Sequence, residues 1–181
     1  MDIETIRTEA LRKLGRNIVN FSKIEGALKY LLSIAKNEGN RQKLSDKLLG
    51  DRERINKQTL GTLVRDFYKN VLGNAIQADF PEDDPKWVSI LLNISYSDQE
   101  FLKIKKQEFL GIVAERNKLI HQDLANLDTS SIEDYRKLII YLDEQNPRLL
   151  NYLAELGEII NTHTDMIKIG LEEMRISQKQ H

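Results

Sequence analysis

The chain has 181 residues, of which 40% are hydrophobic and 30% are charged. This composition is typical of a soluble globular protein, and it excludes both a low-hydrophobicity disordered chain and an apolar membrane protein. The formal net charge of -1 excludes nucleic-acid binding through a bulk excess of positive charge, and the lack of cysteine excludes disulfides, zinc thiolate sites and thiol nucleophiles.

The length predicts a single helical domain over residues 1–181, because one domain usually takes about 150 residues. The N-terminal stretch MDIETIRTEALRKLG mixes charged and apolar positions, and no window of about 18 apolar residues occurs in the chain. We therefore expect no signal peptide, no membrane span and a cytoplasmic location.

Apolar residues recur at helical spacing through much of the chain. Over residues 3–35 they predict one long helix, or two helices with a break near residues 15–20. The polar residues 36–57 predict a loop or short helices. Residues 59–72 predict a further helix, with Thr59 as its N-cap.

The middle of the chain changes character at a stretch with two prolines and a cluster of acids. Its acids Asp79, Glu82, Asp83 and Asp84 lack the spacing of a calcium loop, so the sequence predicts no metal site there. The short apolar run at residues 87–94 fits either a strand or a buried helical turn.

Two capping boxes predict the starts of the next helices. Ser97 with Glu100 predicts a helix that continues to about His121, and Ser130 with Glu133 predicts the start of the last helical region. Pro147 either kinks that region or begins a new helix. The complete pattern predicts an all-α helical bundle of about four to six helices, with long first and C-terminal helices.

A polar run near the end of the helix that Ser97 caps contains Arg116, Asn117 and His121. Asn117 and His121 are four residues apart, so on one α-helical face the amide can orient the imidazole, and the long Arg116 side chain can converge on the same place. Histidine transfers protons near neutral pH, and guanidinium binds phosphate oxygens. RNA cleavage needs both functions, although the same residues also occur at ordinary solvated helix ends.

The run RNKLIH resembles the Arg-x4-His signature of HEPN domains, with the polar residue that this family usually places after the arginine. FSKIEGALKYLL, with Glu25 on an otherwise apolar helix, resembles the earlier HEPN helix that carries an acid, and TLGTLVRDF resembles a segment that precedes the signature. The resemblance implies an all-α endoribonuclease that uses no metal and no cofactor. A HEPN subgroup paired with a nucleotidyltransferase antitoxin has tyrosine two residues after the histidine, whereas this chain has Asp123.

The resemblance also implies how the residues act. Arg116, Asn117 and His121 are the expected catalytic residues, with Glu25 and Lys118 in support. Glu25 either pairs with Arg116 or faces solvent, and we expect the pair. The 2′-hydroxyl attacks the adjacent phosphate, histidine acts as base or acid, and arginine stabilises the phosphorane.

The expected partners are an RNA substrate, a second copy of the chain that completes the site, and an antitoxin or other regulatory protein. Such enzymes often serve as toxins or antiviral effectors. Basic residues outnumber acids around the signature and in residues 36–57, whereas acids dominate the C-terminal region, so RNA is expected near the signature. The alternative is a non-enzymatic helical module that binds RNA, a nucleotide or another protein.

Overall fold

The computed structural model describes residues 2–40, 42–72, 86–92, 94 and 97–179. The acidic cluster at residues 79–84 lies outside this part. The described residues form five α-helices and one two-stranded sheet, in the order α1 (Ile3–Ala35), β1 (Lys36–Asn40), α2 (Leu44–Asn56), α3 (Leu60–Asn70), β2 (Trp87–Leu91), α4 (Gln99–Lys118) and α5 (Ile132–Lys179). The predicted all-α class and the long first and last helices are confirmed.

Helix α1 is continuous, so the interpretation with one long helix is correct. Asp2 is its N-cap and accepts a hydrogen bond from the Thr5 amide at 2.8 Å. The predicted N-cap of α3 is also confirmed, since the Thr59 hydroxyl accepts from the Thr62 amide at 3.3 Å. One stripe of each helix is buried, as their apolar spacing predicts.

Strand β1 follows α1 directly and pairs antiparallel with β2, with Lys36 opposite Leu91 and Asn40 opposite Trp87. The strand interpretation of the apolar run is therefore correct for Trp87–Leu91. The polar stretch after α1 contains α2, a short helix as one interpretation had it, but also β1, which the sequence did not predict.

Helix α5 continues through Pro147, so of the two alternatives, a kink or a new helix, the new helix is wrong. The helix has 48 residues, which corresponds to about 72 Å at 1.5 Å per residue. Its start is also displaced from the prediction, because the Ser131 hydroxyl and not that of Ser130 accepts from the Asp134 amide, at 3.1 Å.

Side-chain pairs establish how the long helices run. Contacts between α1 and α5 keep a nearly constant separation in sequence, which means that the two helices are parallel; the pairs are Lys13–Asp143, Asn17–Gln145 and Asn20–Asn146. Contacts between α4 and α5 move in opposite directions along the chain, which means that these helices are antiparallel; the pairs are Lys105–Glu155, Phe109–Tyr152 and Glu115–Arg148.

Buried apolar side chains form two clusters. The larger one lies among α1, α3, α4 and α5 and includes the stacked rings of Phe109 and Tyr152, with centroids 4.4 Å apart. The smaller one lies at the start of α1 and α5 and consists of Ile6, Ala10, Leu119, Tyr135, Leu138 and Leu142. Among the described residues, no helix combines the length and the apolarity that crossing a bilayer requires.

Candidate functional site

The predicted catalytic residues lie where α4 ends. Asp98 is the N-cap of α4 and accepts from the Phe101 amide at 2.9 Å, so the predicted cap at Ser97 is wrong by one residue. The α-helix ends at Lys118, and the chain continues as one π-helical turn over Leu119–Asp123, in which the Leu124 amide donates to the Leu119 carbonyl at 3.0 Å. His121 therefore lies on the π turn. Such turns are rare and often occur at functional sites.

The π turn is held from both sides. Leu119 is completely buried in the smaller apolar cluster, which fixes the inner side of the turn. Lys118 Nζ lies 2.6 Å from Asp123 Oδ1, so an ion pair joins the two ends of the turn. His121 lies between Leu119 and Asp123 in the chain, and its side chain is exposed.

Arg116 and Asn117 are brought together, whereas His121 is left free. Arg116 Nη1 donates to Asn117 Oδ1 at 3.1 Å. Within the described part of the chain, no hydrogen bond or ion pair involves the His121 ring. The expected orientation of the imidazole by Asn117 is therefore not formed. A π turn has more residues per turn than an α-helix, so His121 does not reach the position that four α-helical steps from Asn117 would give.

Glu25 does not support Arg116. Its carboxylate pairs with Lys29 Nζ at 2.6 Å, one turn further along α1, so the predicted pair with Arg116 is wrong. Lys118, the other predicted supporting residue, lies beside the site but forms an ion pair with Asp123.

The acid that lies next to Arg116 is Glu115, which the sequence did not single out. Both of its carboxylate oxygens accept from the guanidinium of Arg148 on α5, at 2.6 and 2.9 Å, and one also accepts from Gln145 Nε2 at 3.3 Å. A two-pronged pair of this kind fixes both side chains. No local sequence pattern predicts the Glu115–Arg148 pair, because the two residues are 33 positions apart.

A buried polar network continues from Glu115 to α1. Gln145 is completely buried, and its Oε1 accepts from Asn17 Nδ2 at 3.1 Å. Gln145 Nε2 also donates to the Tyr141 hydroxyl at 3.2 Å. Burial raises the pKa of Tyr141 to about 12, and the negative charges of Glu115 and Asp123 act in the same direction. The network thus connects α1, α4 and α5 behind the predicted catalytic residues.

A cavity of about 360 Å³ opens between the π turn and the first turns of α5. We call it the turn cavity; it is lined by Lys118, Asp123, Asn126, Leu127, Asp134, Lys137, Leu138 and Tyr141. Two of the lining residues, Lys118 and Asp123, form the ion pair across the π turn. The cavity and His121 therefore share one short segment of chain.

Among the described residues, no group of three or more histidine, aspartate or glutamate side chains is placed to hold a metal ion. Protein-family models, curated proteins and solved structures contain no significant match to this chain. What the protein can do is therefore inferred from the chemistry of the residues around the π turn.

Proposed function

We propose that the protein is a metal-independent endoribonuclease of the HEPN type, with Arg116, Asn117 and His121 in its active site. The observation that carries the proposal is that Arg116 forms no ion pair with any carboxylate among the described residues. Its guanidinium is held by Asn117 Oδ1 at 3.1 Å and keeps further N–H donors for an anion. The exposed His121 lies on the adjacent turn and can exchange a proton with solvent or substrate.

The neighbouring charges support a phosphate site at Arg116. Glu115 is neutralised by Arg148, and Lys118 is neutralised by Asp123. Arg116 thus provides a positive charge that is not compensated by a described side chain. Guanidinium binds phosphate oxygens through two N–H groups at once, which suits it to the non-bridging oxygens of an RNA backbone.

The chemistry follows from these groups. A base takes the proton of the ribose 2′-hydroxyl, whose oxygen attacks the adjacent phosphorus, and the bond from phosphorus to the 5′-oxygen breaks. An acid gives a proton to that 5′-oxygen, and the products are a 2′,3′-cyclic phosphate and a free 5′-hydroxyl. Arg116 stabilises the negative charge on the phosphorane. One His121 supplies only one of the two proton-transfer groups.

A second copy of the chain would supply the other histidine. The exposed face of α4 that carries Asn117 also carries the exposed residues Ala114 and Gly111, whose small side chains let a second helix approach closely. An interface formed by this face on both copies would be isologous, and the shared site requires that it bring two His121 residues near one phosphate. We expect light scattering to give about twice the chain mass of 21.0 kDa. Cleavage of RNA by a strictly monomeric protein would refute the shared site.

The test of the proposal is the cleavage of single-stranded RNA by His121→Ala. We expect at least about a hundredfold loss, the usual effect of removing a general acid or base, with an unchanged fold. Gln122→Ala is the matched control, because Gln122 is an exposed neighbour on the same turn. Equal cleavage by the wild type and His121→Ala would refute the mechanism. A wild type that binds RNA and leaves it intact would instead identify a non-enzymatic binding module.

The biological role that goes with this activity is that of a toxin or antiviral effector, restrained by an antitoxin or another regulatory protein. Expression of the wild type in a bacterial host should then arrest growth, whereas His121→Ala should be tolerated. Equal growth and equal yield for both proteins would contradict this role.

A further inference from the structure

A further cavity, of about 520 Å³, opens among α3, α4 and α5 near the start of α4. We call it the aromatic cavity, because its walls include the rings of Phe67, Tyr68, Phe101, Phe109 and Tyr152. Its volume lies within the range of small-ligand sites, which are concave and mostly apolar. A ligand with an aromatic or alkyl body can therefore bury that body here.

Carboxylates outnumber ammonium groups at the mouth of the aromatic cavity. Among the described residues, the charged side chains that line it are Lys105, Glu155 and Glu158. Lys105 Nζ lies 3.0 Å from Glu155 Oε1 and 3.8 Å from Glu108 Oε2, so its positive charge is already compensated. Glu158 is exposed and forms no ion pair within the described part of the chain. The mouth thus has a net negative charge, which favours a cationic ligand and disfavours an anionic one.

The aromatic walls favour a cation as well. The face of an aromatic ring attracts a positive charge, and Lys105 Nζ already lies 5.9 Å from the centroid of the Phe101 ring. Burial raises the pKa of Tyr152 to about 12, and the negative charges of Glu108 and Glu155 act in the same direction. The rings and the carboxylates therefore select the same kind of ligand group.

We propose that the aromatic cavity binds a small organic ammonium ion, which is a protonated amine attached to an aromatic or alkyl body. The body packs against the rings, and the ammonium group lies at the mouth with Glu158 as its counterion. A neutral ligand of the same shape gains only the apolar packing, and Glu158 repels a carboxylate. Lys105 lies about 16 Å from Arg116 along α4, at about 1.5 Å per residue, so this site is separate from the proposed phosphate site.

The test compares three probes that share a phenethyl body and differ in the end group: phenethylamine, phenethyl alcohol and phenylpropionate. Their dissociation constants are measured near neutral pH by nuclear magnetic resonance titration of the full chain. We expect the amine to bind about tenfold more tightly than the alcohol, the ratio that a cation–π contact and an exposed ion pair supply together, and the carboxylate to bind most weakly. Equal affinity for the amine and the alcohol, or no binding of the amine, would overturn the proposal.

Two variants with matched controls locate the site. Glu158→Gln removes the counterion and should reduce the preference for the amine to about threefold, whereas Glu144→Gln, at an exposed acid of α5 outside the cavity, should keep it. Phe101→Ala removes a ring that is 43% exposed and should weaken binding of the amine, whereas Ile104→Ala, at a residue that is 52% exposed and does not line the cavity, should not. An undiminished preference in Glu158→Gln, or unchanged affinity in Phe101→Ala, would overturn the assignment. No titration uses RNA, so these results do not depend on the ribonuclease function.

Discussion

Replacing Asn17 with alanine should destabilise the protein by about 3 kcal/mol. Asn17 is completely buried on α1, and its Nδ2 donates to the Leu142 carbonyl at 2.9 Å and to Gln145 Oε1 at 3.1 Å. The Leu142 carbonyl keeps a second donor, Arg16 Nη2 at 3.2 Å, so its loss is about 1 kcal/mol. Gln145 Oε1 would remain buried without that donor, which costs about 2 kcal/mol.

The measurement is urea unfolding followed by far-ultraviolet circular dichroism. The midpoint should fall while the slope m stays unchanged, and the melting temperature should fall by about 6 to 12 °C. Asn20→Ala is the comparison, because Asn20 makes one hydrogen bond, to Asn146 at 3.0 Å, and Asn146 is only half-buried. It should lose about 1 kcal/mol. A loss for Asn17→Ala no larger than that of Asn20→Ala would refute the role of the network in joining α1 to α5.

Arg116→Lys keeps the positive charge but loses the planar guanidinium that can donate two parallel hydrogen bonds, so RNA cleavage should fall nearly as far as in Arg116→Ala. Full activity of the lysine variant would show that charge alone suffices. Because the pKa of Tyr141 is raised from 10.0 to about 12, its contribution to stability should be lost as the pH rises from about 10 through 12. Unfolding midpoints of Tyr141→Phe should therefore fall less over that range, and an unchanged fall would contradict the assignment. Lys13 and then Arg16 lower the pKa of Asp143 below 3.8, so this carboxylate stabilises the fold above that pH and ceases to do so as the pH falls through the lowered value. Asp143→Asn should show a weaker loss of stability on acidification, measured by thermal melts, and an equal loss would count against this ion pair.

The helices were predictable because their information is local. An apolar stripe with a period near 3.6 residues is sufficient to place α1 and α3. The exact caps were less predictable, because Asp98 stands next to Ser97 and Ser131 stands next to Ser130. Each neighbour reaches an amide three residues ahead equally well, so both predicted caps were displaced by one residue.

The choice between a continuing helix and a new helix at Pro147 could not be made from the sequence, because it depends on another helix. Proline cannot donate to the carbonyl of Asp143. Directly beside this interruption, Asn17 and Arg16 of α1 donate to the Leu142 carbonyl. Contacts with α1 on this side hold α5 as one helix, and a sequence rule that considers only neighbours along the chain does not include them.

The site was predictable only in part for the same reason. Arg116 and Asn117 are neighbours in sequence and do meet in the structure. Glu115 and Arg148 meet only because α4 and α5 are antiparallel, and the π turn arises where the buried Leu119 anchors the end of α4. Strand β1 has the sequence KNEGN, which lacks the apolar alternation of a strand, and it forms because β2 pairs with it.

The parallel arrangement of α1 and α5 has a consequence for biosynthesis. Asn17 and its partner Gln145 are separated by 128 residues, which a ribosome adds in about 6 to 26 s. During this time the side of α1 that packs against α5, including Asn17, has no partner. The packing of α1 is therefore completed only after α5 has been synthesised, and a product truncated before α5 exposes an α1 face that can aggregate or bind chaperones.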